Sequence, residues 1–259
     1  MQLRKKISKR KYFIYGIEGF FLLLVIWSLL TYGGIVKPYF LPSPIDTANS
    51  TIILFKEYNL LSDILASLNR ILVGFVLAVI IAVPLGIIIG TINPIKAFSE
   101  PIISLIRYIP PSAFVPIAIL WFGVGDMEKF FIIFIGTAPY LLFLVADIVS
   151  RVKNEFIDVA LTLGANTKEL YTKVIIPNSL PEIWDSMRFM FGISWTLIVI
   201  AEIIASNSGL GHVMIQSQRF LQTSNVIGII ILIGLLGLFT DYLFKLSYNK
   251  LFYWSEKER

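Results

Sequence analysis

Apolar stretches as long as a bilayer is thick recur along this chain, and they leave few folds open to it. A helix needs roughly 20 apolar residues to cross the hydrocarbon layer. Five stretches qualify without interruption, at about residues 12–32, 64–91, 129–149, 183–205 and 226–247. A sixth, PIISLIRYIPPSAFVPIAILWFGVG, carries Pro110 and Pro111 at its middle. Adjacent prolines remove two backbone donors and bend the path. We therefore expect a broken crossing there, with its main helix after the prolines. The chain is 56% hydrophobic, above the roughly 45–50% of soluble domains. The expected fold class is an all-α polytopic membrane protein with about six transmembrane helices. The start MQLRKKISKRKYF is basic, but the long run behind it lacks a small-residue cleavage site. It reads as a retained span.

Lysine and arginine set the orientation, because they collect on the cytoplasmic side. Arg4, Lys5, Lys6, Lys9, Arg10 and Lys11 place the N-terminus inside. Alternating crossings then put Lys96 inside, followed by Arg151, Lys153, Lys168 and Lys173, and finally Lys245, Lys250, Lys257 and Arg259. The outside segments keep Lys37, Lys56, Lys129 and Arg219. This asymmetry requires the proline-broken stretch to cross. The net charge of +5 is thus a topology signal rather than a nucleic-acid footprint.

Several functions are excluded by what the chain lacks. There is no cysteine and a single histidine, His212. That removes disulfides, thiolate sites and any metal site built from several imidazoles of one chain. His212 sits in SGLGHVM, where the glycines predict a tight turn, and a structural or gating place suits it better than catalysis. No G-x-x-x-x-G-K-[ST] sequence occurs, so ATP, if it drives this protein, is bound by another chain. Scattered acids argue against a membrane-embedded enzyme. A secondary transporter acting alone would favour internal repeats, and none is visible.

Two further patterns concern architecture. Gly74, Ala78, Ala82, Gly86 and Gly90 fall every four residues and form a small-residue stripe on one helix. Such stripes let helices approach closely in lipid; lining a path is the other reading. Residues 45–58 place Ile45, Ala48, Ile52, Ile53 and Phe55 at the spacing of a short interfacial helix, with Asp46 favourable at its N-terminus. The chain then divides into a basic tail at 1–11, a first span with its extracytoplasmic connector at 12–63, a core at 64–247 and a tail at 248–259. Inside the core lies a polar cytoplasmic loop, 150–182.

That loop contains DVALTLGANTKELYTKVIIPNSLPE. Phe156, Val159, Ala160 and Leu163 recur at helical spacing, with Glu155, Asp158 and Thr162 elsewhere on the turn. Gly164 ends the piece or permits a close approach. A second helical piece follows at about 167–174, and Pro177 is expected to stop it. A short helix, a glycine and another short helix make a shape for docking.

Here the chain resembles the permease subunits of ATP-binding-cassette importers. Their cytoplasmic motif reads E-A-A, three residues, G, nine residues, then I-x-L-P. Asp158, Val159 and Ala160 stand for E-A-A, Gly164 falls at the glycine, and Val174, Ile176 and Pro177 stand for I, L and P. Further stretches resemble the nitrate, sulfonate, taurine and bicarbonate group: FLPSP, SLNRILVGFVLAVIIAVPLGIIIG, IPPSAFVPIAILWFGVGDMEK and MRFMFGISWTLIVIAEIIASNSGLGHVM. Permeases for thiamine and flavin precursors are similar.

The resemblance implies a type I importer (MetI-like) permease fold and a transport role without catalysis. It implies a coupling helix resting in a groove of the ATPase, with Glu155, Asp158, Val159, Ala160, Gly164, Val174, Ile176 and Pro177 at that contact. It implies two ATPase copies holding ATP and Mg, an extracytoplasmic solute-binding protein, a second permease chain as a homodimer, and no cofactor on this chain. The implied site is a multi-pass cell membrane with both termini cytoplasmic, and the implied solute is small and anionic. Charges within spans are costly in lipid. Arg70, Arg188 and Glu202 are accordingly candidates for the pathway, with structural pairing or snorkelling as the competing reading.

Overall fold

The computed structural model describes residues 7–254, and all regular elements among them are helical. Arg4, Lys5, Lys6, Lys257 and Arg259, used above for orientation, lie outside the described residues. The chain forms two compact units. One takes in the chain up to Leu60 together with Met214–Ile231; the other holds Leu61–Val213 and the chain from Leu232 onward.

In the first unit, α1 (Lys9–Tyr32) starts at Ser8, whose hydroxyl accepts from the Lys11 N–H. It is apolar on all sides and leaves its large side chains, Phe20, Phe21 and Leu23 among them, uncovered, as a span surrounded by lipid would. The helix α2 (Pro44–Glu57) has the signals of a strong start. Ser43 caps it by accepting from the Asp46 N–H at 3.2 Å, Pro44 opens its first turn, and Asp46 favours the positive end of the dipole. Thr47 and Leu54 face inward while Ile45, Ile52, Ile53 and Phe55 stay exposed, an apolar face without a protein neighbour. Trp27 Nε1 donates to Pro42 O at 2.9 Å, and Thr223 Oγ1 donates to Tyr39 O at 2.8 Å. The second of these bonds ties Met214–Ile231 to the N-terminal region.

The second unit carries the longest helices. The small-residue stripe of α3 (Leu60–Thr91) lies against α6 (Asp126–Ser150). A Cβ added at Gly74 would sit 2.7 Å from Ile133 Cβ, and one at Gly86 would sit 2.7 Å from Val145 Cβ. Ala78 and Ala82 are fully buried along the same line.

The chain next forms α4 (Asn93–Tyr108), a 3₁₀ turn at Pro111–Phe114 and α5 (Val115–Phe122), with a bend of 83° at the prolines. The break falls where the proline pair predicts it, but the longer helix precedes it. Lys96 and Glu100 hid that helix from an apolar-run criterion. Both lie toward the N-terminal half of α4, and Ile103, a turn further on, packs with Ile89 and Ala146.

A second difference concerns Pro177. The helix does not stop there: Thr167–Ile204 is one helical path of 38 residues. It begins as α8 (Thr167–Glu169), widens to a π turn at Leu170–Ile175, and resumes as α9 (Ile176–Ile204). Within the π turn the Ile176 N–H reaches Tyr171 O, five residues back. The α register restarts at Ile176, so Pro177 sits in a first turn, where a missing N–H costs nothing. The helix α9 packs along α6 and receives the later part of α11 (Thr223–Leu251), with Trp195 Nε1 donating to Thr240 Oγ1 at 3.3 Å and Trp184 stacked near Phe244.

Among the described residues five helices are long and apolar enough to cross a membrane, and the bent pair makes a sixth if it counts as one span.

Candidate functional site

Two places in the second unit collect the functional candidates. The first is the polar loop. The helix α7 (Asn154–Thr162) is closed by a Schellman turn. The Gly164 N–H bonds Leu161 O and the Ala165 N–H bonds Ala160 O, both at 2.9 Å. This geometry needs a left-handed residue, and Gly164 has φ +81°. Asn166 immediately starts the next helix with a capping box: its side chain accepts from the Glu169 N–H at 3.0 Å, and Glu169 accepts from the Asn166 N–H at 3.1 Å. Lys173 adds a 2.8 Å bridge to Glu169. Stop and start signals adjoin, so the turn is stiff.

The outer surface of α7 is uncovered and amphipathic. Val159 and Leu163 are 60% and 83% exposed, and Phe156 and Leu161 are also exposed. Glu155 and Asp158 are exposed, and neither carboxylate has a bonded partner among the described residues. Ala160, Val174, Ile176 and Pro177 are half-buried on the inner side. Tyr171 Oη meets Thr91 Oγ1 at 2.8 Å, tying the π turn to the end of α3.

The second place is a buried polar knot at the opposite end of α9. Arg70 Nε donates to Asp126 Oδ1 and Nη1 to Glu202 Oε1, each at 2.7 Å. Arg70 also donates to Ser208 O and Ser208 Oγ at 2.8 Å. Glu202 is fully buried and further accepts from Ser67 Oγ at 2.8 Å and from the Gly211 N–H at 2.9 Å. That last bond satisfies an orphan amide at the start of α10 (Leu210–Arg219). Gly209, at φ +103°, lies so near that an added Cβ would overlap the Glu202 carboxylate. His212 lies in the first turn of α10 rather than in a turn.

Lys129, counted above among the outside charges, is 1% exposed. Its Nζ donates to Gly125 O, Glu128 Oε2 and Ala205 O at 2.7–2.9 Å. Ala205 ends α9, so the ammonium caps the negative end of that helix. Arg188 pairs with Asp241 at 2.6 Å and more loosely with Asp185 at 3.5 Å. The structure thus joins Arg70 to Glu202 and leaves Arg188 apart from both. Sequence reading missed Asp126, Ser67, Ser208 and the Asn166–Glu169 box; only the box had a local signal, an N-x-x-E before an apolar run. Neither place resembles a reaction centre, and no group of acids or His212 among the described residues has the arrangement to hold a metal.

Residues 82–253 match the model of a protein family described as the binding-protein-dependent transport system inner membrane component. The chain belongs to this family. It is an importer permease subunit, and relatives along most of its length are named as ABC transporter or transport-system permeases. One, from Brucella abortus, is described as a probable ABC transporter permease and is 37% identical over 95% of this chain and 94% of its own. The taurine transport system permease of Escherichia coli is 32% identical over 83% of this chain and 80% of its own. A bicarbonate transport system permease of Synechocystis is 30% identical over 88% and 84%. In three dimensions the permease is similar to a chain of the MetNI methionine ABC transporter in inward-facing conformations, with TM-score 0.65, 16% identity, and coverage of 76% of this chain and 95% of that one. This last likeness concerns the fold.

Proposed function

We propose that this permease subunit forms the path for a small anionic solute of the sulfonate, taurine or bicarbonate class. The chemistry of the solutes named for its relatives supports that class: each carries a compact oxyanion. A separate ATPase binds beneath the loop at 150–182 and holds ATP and Mg; an extracytoplasmic binding protein delivers the solute. Two copies of this chain meet in the membrane. The residues contacting the ATPase are Glu155, Asp158, Val159, Ala160 and Gly164, with Val174, Ile176 and Pro177 forming the base. In this reading the stripe from Gly74 to Gly90 packs helices, and Arg70 with Glu202 frames the path rather than touching solute.

The observation that carries the proposal is α7: a helix with an uncovered apolar face and two unpartnered carboxylates, closed by a stiff turn. Its neighbours Arg151, Lys153, Lys168 and Lys173 favour the cytoplasmic side for this end, which also brings both termini inside.

A mild-detergent purification of the tagged chain tests it, with partners identified by mass spectrometry. An ATPase and a solute-binding protein are expected in the eluate, and the binding protein then reports its ligand in a thermal-shift screen of sulfonates, bicarbonate and thiamine precursors. Elution of the chain alone, active in uptake without ATP, would instead favour a self-sufficient transporter.

A further inference from the structure

We infer that Arg107, at the end of α4, is the cation that meets the oxyanion of the solute inside the membrane; this deepens the anion reading above and rests on it. Arg70, Arg107 and Arg188 lie within the candidate spans of the second unit. Arg70 and Arg188 are neutralised by carboxylates at 2.6–2.7 Å. Arg107 is not. Among the described residues no carboxylate or carbonyl accepts from its guanidinium, which lies 3.9 Å from the ring centre of Phe143, 5.4 Å from Tyr108 and 6.0 Å from Tyr140. Ring faces attract the cation but leave its N–H groups unused.

The depth of this group gives it weight. Tyr140 and Phe143 are the fifteenth and eighteenth of the 25 residues of α6. At about 1.5 Å per residue they sit roughly 10–15 Å from the end of that helix, within a candidate span. An unpaired charge there is costly and marks a function. The backbone around it is also held in place. Tyr140 Oη donates to Arg107 O at 2.7 Å, and the chain then turns by 83° at Pro110 and Pro111. Broken helices at mid-membrane supply transporters with solute contacts. A half-buried planar fork whose N–H groups have no protein acceptor among the described residues can meet a sulfonate, a carboxylate or bicarbonate bidentately. Capping of the α4 dipole by the same charge is the structural rival.

The test uses the purified complex of permease, ATPase and binding protein in proteoliposomes, with ³⁵S-labelled ethanesulfonate, ³⁵S-labelled taurine and ¹⁴C-labelled bicarbonate as solutes. The readouts are solute taken up per ATP hydrolysed and the unfolding temperature. Arg107→Gln is expected to lower that ratio on the order of tenfold, since bonds to a charged group are lost. Arg107→Lys should recover part of it by restoring charge without the fork. An Arg107→Gln complex that keeps the wild-type ratio overturns the inference, and a lowered unfolding temperature beside that unchanged ratio assigns Arg107 to helix capping. A wild-type complex that imports none of the three solutes overturns the anion reading itself, and with it this inference.

Discussion

At the scale of single residues, the knot around Glu202 shows how a membrane protein keeps charge within its spans. The donors to this carboxylate come from α3 (Ser67 and Arg70) and from the start of α10 (Gly211), and Arg70 reaches on to Asp126, so the charge locks α3, α6 and α9 together at one end. Removing one partner of a buried pair strands the other, at a cost of about 3–5 kcal/mol. Glu202→Ala should therefore lower the unfolding temperature of the detergent-solubilised chain by several degrees. The double variant Arg70→Ala/Glu202→Ala should lose less than the sum of the two single variants, as coupled neighbours do. Strictly additive losses, followed by thermal unfolding of all three proteins, would show that the pair is not coupled. The sequence names both residues as candidates but not their pairing, because they stand 132 positions apart and nothing local links them. The burial of Lys129 is hidden for a similar reason: a lysine at a span boundary looks like a loop charge until the carbonyls of another helix end are seen around it.

At the scale of elements, period and spacing were legible and register was not. The stripe on α3 is visible in the sequence as a four-residue repeat, and its geometry makes a sharp contrast. Gly86→Leu must push α6 away, at about 1–3 kcal/mol for overpacking. The same change at Gly16 meets nothing within 4 Å. Thermal unfolding of the two variants should separate them clearly, and equal stability would remove α3 from the α6 interface. The glycine of the polar loop invites a finer test. Gly164 has open space around it but a left-handed backbone, so handedness rather than room is its requirement within this chain. Gly164→Val should then lose uptake through about 1–2 kcal/mol of strain, while Gly164→Asn, which tolerates that conformation, keeps most of it. If Asn fails as badly as Val, the need is for space against the ATPase. Two elements escaped the sequence. The helix before Pro110 is amphipathic, so an apolar-run criterion passes over it. The helix through Pro177 survives because the π turn resets the register, and a widened turn has no composition signal of its own.

At the scale of the whole molecule, coupling is a matter of what Thr167–Ile204 connects. At about 1.5 Å per residue its 38 residues extend roughly 57 Å, from the stiff turn beneath α7 to the knot at Glu202. On the proposed coupling, a push on α7 would pass through the Schellman turn and capping box into a helix that holds the charged end of the second unit. Helical rigidity supplies the lever, and the π turn, a common place for a functional irregularity, is its one widened joint. The sequence disclosed the motif at the near end because its spacing is local; the lever stayed hidden behind Pro177. On the proposed coupling, the ATPase grips the uncovered face of α7, where Val159 and Leu163 offer apolar area and Asp158 and Glu155 could add exposed ion pairs worth only about 0–1 kcal/mol each. Apolar burial therefore decides the grip. Leu163→Glu and Val159→Glu, both fully compatible with an exposed helix, should leave the amount of chain in the membrane and its unfolding temperature unchanged. They should release the ATPase during purification and bring uptake to background. Asp158→Asn should weaken the same complex far less. Quantifying ATPase recovered per permease in the three variants decides the matter: normal recovery with Leu163→Glu would move the docking surface off α7, and a larger loss from Asp158→Asn would make the contact electrostatic and sensitive to salt.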